Sequence, residues 1–313
     1  MWKKYVLVIL VAFLIISWSV VYLAHGVISV IVWWGLQAFS LVSIFILIGS
    51  VLLFLWKGIF RNRIDRTILF IVLFSIIGAW PLGWFANIGG LAYPADVQSM
   101  SPKAVVRFPL NERTLVGWGG DRLETNYHVI KPNERWAYDI LIPPAEVKSS
   151  NLGDYGIYGA KVMAPASGTV VSINNDEIDV VPGEDDFQSM AGNHIYLRLD
   201  ESGTFLILAH LKKGSIKVRE GQHVNEGEVL AQVGNSGSSS EPHLHIHHQR
   251  QDPSKVSMFC SEGLPLYFRT EKGAIMPERG TYISGNEKRY SSFIGIPFSI
   301  ILQMFDTVRK YLK

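Results

Sequence analysis

Residues 5–23, 27–56 and 67–93 of this 313-residue chain carry no charged side chain. A bilayer crossing needs about 20 apolar residues, and core helices rarely run this long without charge. Residues 1–93 therefore read as three transmembrane helices set in a lipid bilayer. Pro81 and the glycines of the third run are tolerated in membrane helices. Trp33, Trp34, Trp56, Trp80 and Trp84 are candidates for interfacial anchors. Lys3 and Lys4 precede the first run, while Lys57, Arg61, Arg63 and Arg66 separate the second from the third. The connection at His25-Gly26 has no Lys or Arg. The positive-inside rule then places the N-terminus in the cytoplasm and everything after residue 93 outside. The first run reads as a retained anchor of a multi-pass protein, since a second follows at once and no small-residue cleavage pattern precedes it.

The overall 48% of hydrophobic residues is thus an average of two unlike parts. A net charge of +2 gives no electrostatic footprint for nucleic acid. With Cys260 alone, no disulfide can form within the chain, and metal ligands must come from histidines and carboxylates.

Residues 94–104 mix Pro, Ser, Asp and Lys as a linker does. From 105 to 285 the pattern changes to short β-type runs broken by Gly, Pro and Asn, as at 168–173, 193–199 and 204–211. This predicts an all-β outer domain of antiparallel sheet attached to the α-helical transmembrane domain. Residues 286–313 close the chain with an amphipathic helix in which Phe298, Ile301, Leu302, Phe305, Val308 and Leu312 recur at helical spacing. That helix either lies on the outer leaflet or docks on the β-domain or the spans.

Within the β-domain, Gly234-Asn235-Ser236-Gly237 leads through a Ser-rich turn to Pro242-His243-Leu244-His245. On a strand, residues i and i+2 share a face, so His243 and His245 project side by side. Such a pair suits one ligand and one acid/base group at a divalent metal. On spacing alone an accidental surface histidine cluster stays open as the alternative, especially with His247 and His248 following.

Three further segments line up with this one: Ala164-Pro165-Ala166-Ser167-Gly168-Thr169-Val170, Ala209-His210-Leu211, and the Val218, Gly221, Val224, Gly227 series. Together they resemble the lysostaphin/LytM-type zinc metallopeptidases of the M23 family, which hydrolyse peptidoglycan. The resemblance covers roughly residues 125–249. It implies an antiparallel sheet crossed by an open groove, Zn²⁺ as cofactor, His245 as a ligand, and His210 and His243 as the catalytic imidazoles. The family draws its other two ligands from His-x-x-x-Asp. Trp136-Ala137-Tyr138-Asp139-Ile140 resembles the strand carrying the aspartate, which assigns Asp139 to the metal. Arg135 occupies the histidine slot. A replacement is at hand if 126–130 and 135–139 form two strands around a turn at 131–134, because His128 then becomes a diagonal neighbour of Asp139. A slip of one residue would turn it away.

Two imidazoles and one carboxylate leave Zn²⁺ an open fourth position, the mark of a catalytic site. The expectation is a membrane-anchored zinc endopeptidase cutting stems or cross-bridges of peptidoglycan. The alternative is an impaired domain that binds cell wall or regulates another hydrolase, motivated by Arg135. Of the remaining candidates, His247 shares a face with His245 and reads as its support, and Asn126 as an orienting group. His194 reads as packing or groove wall, His223 and Glu241 as solvated, and Cys260 as uninvolved.

Overall fold

The computed structural model describes residues 2–61, 65–86 and 88–284. Helices α1 (Trp2–Leu23), α2 (Val27–Arg61) and α3 (Arg66–Ala79) pack together at the N-terminal end of the chain. All three belong to segments long and apolar enough to cross a membrane. Large side chains such as Phe45 and Ile59 stand more than two-thirds exposed on α2, as a helix facing lipid requires. At about 1.5 Å per residue α2 runs to roughly 52 Å, well past a ~30 Å hydrocarbon layer. Regular helix in the third run stops at Ala79, short of the predicted 93, and tightens into a 3-10 segment over Trp80–Ala86. Pro81, which has no N–H to donate, accounts for the change.

The two ends of the bundle differ in chemistry. At one end Asp65 caps α3, accepting from Ile68 N, and pairs with Lys3 and with Lys57 at 2.7 Å. At the other, Trp33 stacks on Trp84 (4.7 Å between centroids) and meets Tyr93 edge-on (5.5 Å). Trp33 and Trp84 are buried in this aromatic cluster, so they brace the bundle from inside instead of anchoring it at a lipid interface.

The β-rich part contains β1 (Ala104–Val106), β2 (Arg113–Trp118), β3 (Tyr138–Leu141), β4 (Lys161–Met163), β5 (Gly168–Asn174), β6 (Asn193–Leu199) and β7 (Phe205–Leu211). It continues with β8 (His223–Val224), β9 (Val229–Gln232), β10 (Leu244–Gln249), β11 (Gly263–Leu264), β12 (Leu266–Thr270), β13 (Gly273–Ile275) and β14 (Tyr282–Ser284). A nine-stranded antiparallel sheet runs β14-β2-β3-β10-β7-β6-β5-β8, with β11 also on β10. The small sheet β1-β12-β13 holds one parallel pair, β1 with β12.

Alternation of side chains gives the main sheet two different faces. Leu206, Leu208, Leu244 and Ile246 enter the main core with Leu197 and Phe268. Phe205, Ile207 and Ala209 point the other way. Register places His245 opposite Ala209 and His247 opposite Ile207, so these histidines share that second face.

The hairpin expected at 126–139 does not form. Residues Tyr127–Ile130 and Pro132–Glu134 are 3-10 turns, and strand begins only at Tyr138. Asn126 caps the first turn, its Oδ1 accepting from His128 N at 3.1 Å, and Pro132 opens the second. Capping and proline outweigh the β-type composition here. The amphipathic helix expected over 286–313 lies outside the described residues.

Candidate metal centre

Strand pairing brings the sequence-predicted residues together. On β10, His245 pairs with Asp139 of β3 on one side and with Ala209 of β7, next to His210, on the other. Asp139 Oδ1 is the hub: His245 Nδ1 lies 2.9 Å from it, His128 Nε2 3.5 Å and His243 Nε2 3.5 Å. The rings of His210 and His243 sit 4.6 Å apart. All five side chains are buried. His128 reaches Asp139 as the sequence suggested, but from a 3-10 turn and not from a neighbouring strand.

Hydrogen-bond polarity shows where the lone pairs point. The Asn126 amide donates to the carbonyls of Gly120 and Ala137, at 2.8 and 3.1 Å, which makes its Oδ1 an acceptor. His128 Nδ1–H donates to that oxygen at 2.9 Å, leaving Nε2 bare toward Asp139. His243 Nδ1–H donates to Glu241 O at 2.8 Å, so its Nε2 is also bare. For His245 the hydrogen-bond relay starts six residues away, at Gln251. Gln249 Nε2 donates to Gln251 O at 2.7 Å, so Gln249 Oε1 accepts from His247 Nε2 at 3.3 Å. His247 Nδ1 then accepts from His245 Nε2 at 2.9 Å, so a neutral His245 has its lone pair at Nδ1, 2.9 Å from Asp139 Oδ1.

Three nitrogen lone pairs thus converge on one carboxylate oxygen. Acceptors facing acceptors at this range repel unless positive charge lies between them. Burial pushes His128 down to about 3, so it does not supply that charge as a proton near neutral pH. Burial works against the Asp139 carboxylate as well; positive charge at the positions of His128, His243 and His245 outweighs it and holds its pKa well below the usual range, a charge that a cation among them supplies when the imidazoles are neutral. Neutral imidazoles with an ionised carboxylate form the donor set that Zn²⁺ takes. The residues present fit the metal.

His210 is placed by an unusual backbone. Its φ is +59°, in the left-handed region that few non-glycine residues adopt. Its Nδ1–H donates to Ser236 O at 2.8 Å, leaving Nε2 free, and burial holds its pKa well below the ordinary histidine value. Ser236 is held in turn where two backbones cross. A Cβ on Gly192 would lie 2.3 Å from Ser236 C, and one on Gly237 2.3 Å from Gly192 N. The Gly-Asn-Ser-Gly run is therefore glycine at Gly237 because of close approach as well as its positive φ.

Other sequence candidates resolve individually. His247 hydrogen-bonds His245, as its shared face suggested. His194 stacks on Tyr196 at 4.1 Å and lines the groove. His223 is half-exposed and hydrogen-bonds Asp200 through Nε2 at 2.7 Å, so it is not merely solvated. Glu241 Oε2 accepts from Glu146 N. Cys260 lies in a 3-10 turn, partly exposed. Arg135 spends its guanidinium on Tyr93 O (2.9 Å), Asp121 O (3.1 Å) and the Asp121 carboxylate (3.0 Å).

Spacing gave no sign of two neighbours of the centre. Tyr127 Oη donates to Asp139 Oδ2 at 3.0 Å. Glu134 sits with His128 and His245 such that one ligand atom from each lies within 4.8 Å of the others. Burial opposes its charge, but Lys131, bonded at 3.0 Å, keeps it ionised. Two cavities flank the centre, about 720 Å³ on the side of Trp118 and Glu241 and about 500 Å³ on the side of His194 and Met258. His243 and Tyr127 border both, which makes one groove with the histidines at its middle.

Residues 154–256 match the model of peptidase family M23. That segment holds His210, His243 and His245, whereas His128 and Asp139 lie upstream of it. No curated protein matches the chain. Among solved structures, the antimicrobial peptidase lysostaphin from Staphylococcus simulans is 18% identical over 49% of this chain and 47% of its own, with a TM-score of 0.30. Its catalytic domain alone gives 19% identity, 49% and 89% coverage and a TM-score of 0.30. A zinc-containing peptidase from Vibrio cholerae gives 22%, 47% and 36%, again at 0.30. The chain thus spans about half the length of the full lysostaphin structure that it matches.

Proposed function

Starting from the peptidase family M23 segment at residues 154–256, we propose that this protein is a membrane-anchored zinc endopeptidase that hydrolyses peptide bonds of peptidoglycan. The observation that carries the reading is the convergence of three bare imidazole nitrogens on Asp139 Oδ1. His128, Asp139 and His245 hold the metal. When bound there, Zn²⁺ supplies Lewis-acid polarisation and lowers the pKa of water.

The chain's own groups handle protons and position. His210 and His243 have their Nδ1 protons tied to backbone carbonyls, so each offers Nε2 to the groove. One of this pair accepts the proton of the attacking water. The imidazolium so formed returns it to the departing amide nitrogen, which leaves as an amine. His247 and Gln249 fix the tautomer of His245, and Asn126 that of His128. The groove on either side accommodates an extended peptide.

The bundle supports an orientation. Lys3 and Lys57 lie at its charged end, with the β-domain at the aromatic end. The positive-inside rule places the charged end in the cytoplasm and the groove outside, where cell wall is. The rival reading, an impaired domain that binds cell wall or regulates another hydrolase, rests on Arg135, whose guanidinium is engaged by Tyr93 and Asp121.

The test uses the full chain in detergent micelles. It should release new amino termini from purified cell walls, lose this with chelator, regain it with zinc, and lose it with His245→Ala. No release under any metal condition overturns the proposal.

A further inference from the structure

A ligand on β3 or β10 is held by ladder hydrogen bonds on both sides. His128 has no such support, since the turn Tyr127–Ile130 pairs with no strand among the described residues. Part of its bracing comes from the membrane bundle. Trp33 of α2 donates from Nε1 to Ile130 O at 2.8 Å, across 97 positions of sequence. Tyr93, which meets the Trp33 ring edge-on, donates from its backbone N to Val129 O at 2.7 Å. The Ile130 side chain packs against the same cluster of bundle residues. Arg135 closes the circuit by donating to Tyr93 O. Trp33 has little freedom of its own: it is fully buried and stacked on Trp84.

We propose that Trp33 is a positioning residue for the metal centre, its indole holding the Ile130 carbonyl so that His128 keeps facing Asp139. The membrane bundle is then part of the site's support and not a tether alone. A rearrangement of the helices that withdraws Trp33 releases the turn and loosens one ligand of three. This rests on the reading of His128 as a ligand.

The test measures zinc affinity of the full chain in lipid nanodiscs by chelator competition, and amide exchange of the metal-free protein over 126–131. Trp33→Phe keeps an aromatic ring and removes the donor. It should weaken zinc binding about tenfold, the low end for losing a group that supports a ligand. It should also speed exchange at 126–131 while leaving β6 and β7 unchanged. Phe45→Leu, on the exposed side of α2, should match wild type in both. Leu10→Ala opens a cavity in the same bundle, and should lower the unfolding temperature more than Trp33→Phe but zinc affinity less. Unchanged affinity in Trp33→Phe, or an equal loss in Leu10→Ala, overturns the inference and leaves the proposed function standing. A wild-type protein that holds no zinc overturns both.

Discussion

Asn126 decides which nitrogen of His128 faces Asp139. Its amide is locked by two carbonyls, so it can only accept from His128 Nδ1. Asn126→Ala should lower zinc affinity roughly 10- to 100-fold, the usual cost of losing an orienting partner; titration against a chelator checks this. His248 makes a different prediction. It is buried against Thr204 and Pro265 O, and burial pushes it from 6.5 down to about 4. Between those values the unfolded chain binds a proton that the folded chain refuses. Stability therefore falls as pH drops from about 6.5 to 4, by about 3 kcal/mol from this group, and this contribution levels off below. Denaturation midpoints over that range should show the slope, and His248→Gln should reduce it. At this scale the His-x-His pair was legible because strand periodicity is local. The partners of Asn126 were not, since Gly120 and Ala137 reach it only through the folded chain.

At the scale of elements, β7, β10 and the crossing of Gly192 with Gly237 set His210 and His243, the proposed catalytic pair. Gly237→Ala forces a Cβ into Gly192 N and strains a positive φ. Ser236 O then moves off His210 Nδ1. The expected outcome is a loss of kcat near 10²-fold, the order a displacement of about 1 Å costs, with zinc content retained, as metal analysis beside cell-wall assays would show. The predicted β-domain was readable from short β-type runs such as Phe205 to Leu211, set between Gly, Pro and Asn. The segment 126–134 was not, because Asn126 and Pro132 act through capping and ring geometry that a hydrophobic pattern does not register. His128 still meets Asp139, by a different path.

For the whole molecule, the charged end of the bundle and the β-domain lie at opposite ends of α2. In intact cells of a Cys260→Ser background, a cysteine replacing exposed Lys148 should react with a membrane-impermeant maleimide. One replacing Lys4 should not, until the membrane is opened. The reverse pattern would refute the assigned orientation.

By itself the sequence determined three apolar spans, a β-rich domain after them, and the candidates His210, His243, His245 and Asp139. The spans, the β-rich domain and the side-by-side His243 and His245 follow from composition and from spacings of a few residues, which backbone geometry translates into faces, whereas His210 and Asp139 come from the resemblance to family M23. Tertiary structure decided the rest: that a 3-10 turn delivers His128, that three lone pairs meet one carboxylate, and that Trp33 reaches Ile130 from the membrane bundle. These depend on packing between residues far apart in the chain, and no local periodicity encodes them.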